Sequence, residues 1–143
     1  MADKRALNQG SLPGLLGYRL RLAQQVVFRD FAVSVGGLSP GRAGLLMLID
    51  ANPGVTQSRL AEAVLRDRST LVGTLNELQQ SGWIERRRGS DRRTNGLWLT
   101  PAGRRRLAAA LHAIQRHERR IAARLTTPER RLLLALLERI SGS

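Results

Sequence analysis

The sequence predicts a mainly α-helical chain that carries one small β-hairpin. Apolar residues recur with helical spacing over most of the 143 residues, and proline or glycine stands at intervals typical of helix ends. The exception is the segment 83–100, where apolar residues alternate along two short runs that flank a turn-like stretch. A chain of this length is expected to form one domain, 1–143, around a single core.

The chain is strongly basic, with a formal net charge of +13. Lys4 is the only lysine, so arginines supply nearly all of the positive charge, and arginine makes bidentate contacts to phosphate and guanine. Such a surface attracts a polyanion, which could be DNA, RNA or an anionic membrane. GC-rich coding would equally raise the number of arginines, but it does not account for their clustering.

Composition also excludes several kinds of site. Without cysteine there is no disulfide, thiolate metal site or thiol redox sensor. Aromatic residues make up 3%, which leaves few platforms on which single-stranded nucleic acid could stack. His112 and His117 are the only histidines, so we expect no metal and no cofactor, and a solvated or dimer-facing position for both.

Neither a signal peptide nor a membrane span is apparent. The first 14 residues contain basic residues but no apolar run behind them, and no apolar segment is long enough to cross a bilayer. We therefore expect a cytoplasmic protein with no membrane partner.

The first long helix is predicted over residues 15–35 and ends at Gly36. It carries two adjacent apolar stripes, whereas one stripe would suffice to dock a helix on its own domain. The residues of these stripes are Leu15, Tyr18, Leu22 and Val26, then Leu16, Leu20, Ala23 and Val27. A second stripe suggests a second partner, most simply another copy of the chain.

Three shorter elements follow. Ser39 and Pro40 are typical of an N-cap and first helical residue, and the helix they begin stops at 52–54. Thr56 is a candidate N-cap for the next helix, which leads into a short turn at 65–67.

A further helix is predicted from Asp67 to Ser81, with Gly82 as its C-terminal cap. Helical projection puts Leu71, Leu75 and Leu78 on the inner side. The outer side is small and polar, and consists of Ser69, Gly73, Asn76 and Gln80, flanked by Arg68 and Thr70. Any solvated helix has polar residues outside, so this face alone does not decide a function.

The predicted hairpin carries an unusual concentration of charge. Its legs and tip contain Arg86, Arg87, Arg88, Arg92 and Arg93. Like charges this close repel each other unless a polyanion neutralises them. Two helices joined by a tight turn and followed by a basic hairpin predict a winged helix-turn-helix reader of double-stranded DNA over 40–100.

The chain ends in two more helices. Thr100 and Pro101 are typical of a helix start, and Thr127 with Pro128 begins the last helix. That last helix is apolar well beyond one narrow face. We therefore predict that segments 12–36 and 101–141 are dimerisation helices, with aggregation or membrane docking as the alternatives.

These features resemble the MarR (multiple antibiotic resistance regulator) family of transcription factors. The most specific pieces are DRSTLVGTLNELQQSGWIERR and, shortly after it, DRRTNGLWLTPAGR. The resemblance covers nearly the whole chain. It implies an obligate homodimer on a pseudo-palindromic operator, with the 68–76 face in the major groove and the hairpin, or wing, in the flanking minor groove.

The resemblance also implies roles for single residues. Asp91 and Arg93 match the D-x-R pair of the family's wing, so Arg93 would enter the minor groove while Asp91 orients it. Gly73 departs from the family, where many members carry a long side chain. Family members are often released from DNA by aromatic carboxylates or phenols, and Tyr18, Arg19 and Phe28 are candidates to line such a site, although core packing would also explain Tyr18 and Phe28.

The expected function is that of a sequence-specific transcriptional regulator, a repressor by resemblance. An enzyme is not expected, because no nucleophile, base and orienting group stand together. The charge alone would also fit a non-specific architectural or RNA-binding protein, and the fold alone would fit a protein-binding module.

Overall fold

A computed structural model describes residues 7–64, 68–89 and 94–142, with the backbone alone at Arg68. Within these ranges the chain folds into α-helices and one small antiparallel sheet, as the sequence predicts. In chain order the elements are a 3-10 turn (Leu12–Gly14), α1 (Leu16–Ser34), α2 (Pro40–Ala51), β1 (Val55–Thr56), α3 (Gln57–Val64), α4 (Arg68–Gln80), β2 (Ile84–Arg88), β3 (Asn95–Leu99), α5 (Pro101–Ile121) and α6 (Thr127–Ser141).

Three of the helices begin with a hydroxyl N-cap and a proline at the first or second helical position. Ser39 accepts a hydrogen bond from the Arg42 amide at 3.3 Å, and Thr100 accepts one from the Gly103 amide at 2.9 Å. At α6 the cap is Thr126, which forms a reciprocal capping box with Glu129. The helix starts predicted at Pro40, Pro101 and Thr127 are thus confirmed.

The hairpin is confirmed and gains a third strand. β2 pairs with β3 in the register Ile84↔Leu99, and β1 pairs with the other edge of β3 through Val55↔Leu97, giving the order β1-β3-β2. β1 contains two residues, too few to produce an alternating pattern that sequence inspection could detect. It attaches the base of the wing to the segment that leads into α3.

Most of the core lies within residues 40–100, which we call the reader lobe. Leu46, Ile49, Leu71 and Leu75 are completely buried there, and Leu107 of α5 joins the same cluster. Phe31 and Val35 bring the C-terminal end of α1 into it. α1 is therefore anchored to the core by its C-terminal end, whereas α5 has buried residues from Gly103 to His117.

The rest of α1 and all of α6 carry apolar residues that their own chain does not cover. Phe31 is the one buried residue of α1, and no residue of α6 is buried. A groove of about 750 Å³ runs between α1, α5 and α6. Its apolar lining includes Leu20, Val27, Ile121, Leu125, Leu133 and Leu137. None of the helices in the described ranges has the length and apolar character needed to cross a bilayer.

Candidate nucleic-acid interface

Helix α4 presents the two faces that its sequence predicts. Leu71, Leu75 and Leu78 are buried, with at most 1% of each side chain exposed. The opposite side is exposed and includes Ser69, Thr70, Gly73, Asn76 and Gln80. α4 ends at Gln80, one residue before the predicted end at Ser81, whereas the predicted N-cap Asp67 and the turn 65–67 lie outside the described residues. The contact of this face with DNA stays a prediction.

Gly73 leaves an open position in the middle of this face. A Cβ atom built on Gly73 would have no neighbouring atom within 4 Å, so the structure has room for a larger side chain there. Inside a helix, only proline is less favourable than glycine. The absence of a side chain at this position is therefore not required by packing.

Alternation along β2 separates the wing arginines onto two faces. Ile84, Arg86 and Arg88 share the side of the strand that begins in the core, and Glu85 and Arg87 lie on the other side. Arg86 is half-buried, whereas Arg87 and Arg88 are exposed. The three arginines therefore do not form one continuous basic surface.

Arg86 is directed at α4. Its Nη2 atom donates a hydrogen bond to Oδ1 of Asn76 at 3.0 Å, and its Nη1 atom donates to Oε1 of Gln79. Asn76 and Gln79 lie one turn apart on α4, so a single guanidinium connects the wing to two exposed amides of that helix.

Arg87 belongs to a different cluster on the outer face of the wing. It pairs with Glu85, and its guanidinium lies 5.4 Å from the centre of the Trp98 ring. The same ring covers Gly54 and Gly96: a Cβ atom at Gly96 would lie 2.5 Å from it. Trp98 thus packs the base of the wing against the turn before β1.

The remaining predicted wing residues lie outside the described residues. These are Asp91, Arg92 and Arg93, and the side chain of Arg68 joins them. Their roles in DNA binding stay predictions that rest on the resemblance.

A polar cluster, which we call the hinge cluster, joins α1 to α5 and was not predicted. It consists of Asp30 and Ser34 on α1 with His117 and Arg120 on α5. His117 Nδ1 lies 2.6 Å from Asp30 Oδ2, and Arg120 donates to both oxygens of that carboxylate, at 3.0 and 2.9 Å. Hydrogen bonds from Arg120 and then from His117 hold the pKa of Asp30 well below its ordinary value.

The prediction for His117 was wrong. Only 2% of this residue is exposed, and its ring packs edge-on against Phe31 with 5.2 Å between the ring centres. Asp30 provides the hydrogen-bond partner of the buried Nδ1 atom, so this atom needs no partner from solvent or from a second chain. Asp30 and His117 are 87 residues apart, and neither belongs to a local motif that sequence inspection could detect. His112 is exposed, as predicted.

Helix α5 is fitted tightly against the start of the wing. A Cβ atom at Gly103 would lie 1.9 Å from the backbone oxygen of Trp83, and the same oxygen accepts a hydrogen bond from the Thr100 amide at 3.0 Å. Arg106 crosses the Trp83 ring and donates to the Gly36 carbonyl at 2.8 Å. α5 therefore meets the start of the wing through a direct backbone contact.

The residues predicted to line an effector site are distributed around α1. Tyr18 is half-buried, and the guanidinium of Arg21 lies 5.4 Å from the centre of the Tyr18 ring. Arg19 donates a hydrogen bond to the Pro13 carbonyl at 2.8 Å. Phe28 is 49% exposed, nearly three turns further along the helix. One chain does not gather them into a single pocket, and their ligand role stays a prediction. The described ranges contain no group of His, Asp and Glu side chains arranged to hold a metal ion.

Known proteins share both the sequence and the fold. A family model described as the MarR family matches residues 36–94. A putative transcriptional regulatory protein for the hcr operon of Thauera aromatica is 40% identical over 143 residues, covering 97% of this chain and 86% of that protein. The HTH-type regulator YdgJ of Bacillus subtilis (strain 168) is 30% identical over 88% of this chain and 77% of its own length.

Solved structures give the same result. The transcriptional repressor CouR bound to a 23-mer DNA duplex is 40% identical, with a TM-score of 0.89 over 94% of this chain and 98% of CouR. CouR bound to p-coumaroyl-CoA is 38% identical, with a TM-score of 0.88 over 94% and 97% of the two chains. These relatives are transcriptional regulators and not enzymes. The chain belongs to the MarR family of dimeric, winged helix-turn-helix, DNA-binding transcriptional regulators.

Proposed function

We propose that the protein is a homodimeric repressor that binds a pseudo-palindromic operator and is released from it by a small aromatic effector. The observation that carries this proposal is the position of an exposed polar recognition helix beside a basic wing, in a chain that is similar over 94% of its length to a repressor solved on duplex DNA. It acts in the cytoplasm and has no catalytic role of its own.

The proposed DNA contacts divide between the two reading elements. Ser69, Thr70 and Asn76, with Arg68, face base edges in the major groove, where short polar side chains can approach closely. Arg88, Arg92 and Arg93 follow the backbone into the minor groove, where a narrow A/T-rich segment attracts arginine. This division assigns specificity mainly to α4 and electrostatic affinity mainly to the wing.

The proposed domain arrangement places the dimer contact on segments 12–36 and 101–141. α6 has no buried residue in the isolated chain, yet Leu132, Leu133, Leu136 and Leu137 occupy four of its 15 positions. A continuous run of exposed apolar side chains on one helix is typical of protein–protein interfaces. A second copy that covers α6 and the adjacent groove would also hold two reader lobes at a set distance.

The effector that we propose is an aromatic acid in the form of its CoA thioester. CouR, similar along almost its whole length, has been solved with p-coumaroyl-CoA. The apolar, exposed Phe28 suits an aromatic acyl group, and the exposed Arg19 and Arg21 on the same helix suit the phosphates of the nucleotide. Tyr18 completes the proposed set.

Selection of bound fragments from genomic DNA with purified protein tests operator recognition. We expect an inverted repeat whose half-sites lie about 10 bp apart, one turn of the double helix. An unstructured spread of recovered sequences would instead identify a non-specific architectural protein.

The effector is tested on the selected operator by fluorescence anisotropy. We expect p-coumaroyl-CoA, as a representative aromatic thioester, to weaken DNA binding more than p-coumarate or CoA alone at the same concentration. Equal effects of free acid and thioester would exclude the nucleotide as part of the recognised ligand, and no effect of any of the three would contradict the proposed effector class.

A further inference from the structure

Arg86 and Asn76, which are expected to contact DNA separately, are hydrogen-bonded to each other. Arg86 lies in the middle of β2, opposite Leu97, and Asn76 lies on the exposed face of α4. The 3.0 Å hydrogen bond from Arg86 Nη2 to Asn76 Oδ1 joins the wing to the recognition helix. Gln79 accepts the second arm of the same guanidinium, so the arginine is held by two partners.

The chemistry of arginine determines which way these amides are turned. A guanidinium has five N–H donors and no acceptor, so the amide atom that faces it must be the carbonyl oxygen. In Asn76 the oxygen is therefore directed at the wing. The group turned away from the wing is Nδ2, which can only donate.

This orientation changes what Asn76 can read. Asparagine recognises adenine through two bonds at once, accepting from N6 and donating to N7, and this requires both amide groups at the base edge. The oxygen keeps a second lone pair, but it is held facing the guanidinium on the wing, so the amino group is the part of the amide left to meet a base edge. Such a group reads acceptors: O6 or N7 of guanine, N7 of adenine or O4 of thymine.

We propose that Arg86 is a positioning residue that restricts Asn76 to donating, so that the base pair facing Asn76 is not read by the two-bond adenine contact. This inference rests on the proposed function, because it requires a preferred operator. It also makes Arg86 a positioning residue and not primarily a phosphate contact, because two of its five N–H donors are already directed at Asn76 and Gln79.

The test compares binding to operator variants by anisotropy at several salt concentrations. Asn76→Ala first identifies the base pair facing Asn76, as the position where discrimination is lost. At that pair we expect Arg86→Met to favour adenine on the order of tenfold more than the wild type does, because the freed amide can make both bonds. The slope of affinity against salt should stay unchanged, and Asn76→Ala placed in the Arg86→Met background should abolish the gain.

Two further variants separate geometry from charge. Arg86→Lys keeps the positive charge but has no planar fork to hold two amides, so we expect the same gain for adenine as with Arg86→Met. Gln79→Ala removes one partner of Arg86 without changing any charge, and should give a smaller change in the same direction. Fluorescence of Trp83 and Trp98 confirms that each variant keeps its fold.

Several results would overturn the inference. If Arg86→Met weakens all operator variants equally and lowers the salt slope by about one unit, Arg86 is a phosphate contact. If base preference is the same with and without Arg86, it does not orient Asn76. A wild-type protein without any preferred operator would contradict the proposed function itself, a result distinct from the other two.

Discussion

Asp30 on α1 and His117 on α5 lie 2.6 Å apart, and Arg120 donates to the same carboxylate. Because an ionised carboxylate can only accept hydrogen bonds, Nδ1 of His117 carries the proton between them. The pair joins α1 to α5 beside the core. It is therefore placed to hold these two helices in a fixed relative orientation.

The first prediction concerns acid stability. The pKa of Asp30 is lowered in the folded protein, so the charged form stabilises the fold above the pKa of an unfolded aspartate, about 3.9. This contribution is lost as the pH falls below that value. We expect Asp30→Asn to lower stability at neutral pH and to make the loss of stability below pH 4 shallower, measured by denaturant unfolding at a series of pH values. Parallel curves for the two proteins would contradict a role for this carboxylate.

The second prediction uses two glycines in helices. A Cβ atom at Gly103 would lie 1.9 Å from the backbone oxygen of Trp83, whereas one at Gly73 would meet nothing. We expect Gly103→Ala to destabilise the fold by about 3 kcal/mol. As the matched control, Gly73→Ala should stabilise it by about 0.5–1 kcal/mol, since alanine favours the helix. Thermal unfolding of both variants checks the pair, and equal effects would refute the packing argument.

The third prediction concerns the wing. Arg93→Ala should weaken operator binding uniformly across base variants and reduce the salt slope by about one unit, if one contact in the phosphate region is lost. Titrations of labelled operator at several salt concentrations measure both quantities. Unchanged affinity at matched salt would show that Arg93 does not belong to the interface.

The fourth prediction concerns the dimer. Leu133 and Leu137 line the apolar groove and are exposed in the single chain. Replacing both with glutamate should prevent association, because burying two carboxylates without partners is costly. Sedimentation equilibrium reports the mass, while Trp83 and Trp98 report folding of the reader lobe, where both tryptophans lie. A dimer of unchanged affinity would place the interface elsewhere.

Local signals in the sequence were sufficient for most of the fold. Ser39 with Pro40 and Thr100 with Pro101 define helix starts because the cap hydroxyl and the proline ring act on neighbouring residues. The spacing of Leu71, Leu75 and Leu78 identifies the inner side of α4 without knowledge of its partner. β1 escaped detection because two residues cannot show a period.

The candidate site was predictable only as separate elements. Periodicity shows which face of α4 carries Asn76, but it does not show that Arg86 on a later strand occupies the oxygen of that amide. The same limit applies to Asp30 and His117, whose contact depends on how two distant helices cross. Pairings across elements are tertiary facts, and a single sequence has no local signal for them.

The exposure of α6 makes DNA binding depend on the total concentration of the protein. A helix of 15 residues is marginal in water when nothing covers it, even with a capping box at one end. Ordering of α6 and association of two chains are then one event, whose extent depends on total concentration. At low abundance, operator occupancy should fall more steeply than in proportion to the number of chains. The rate at which the protein is synthesised should therefore affect operator occupancy, in addition to the effector.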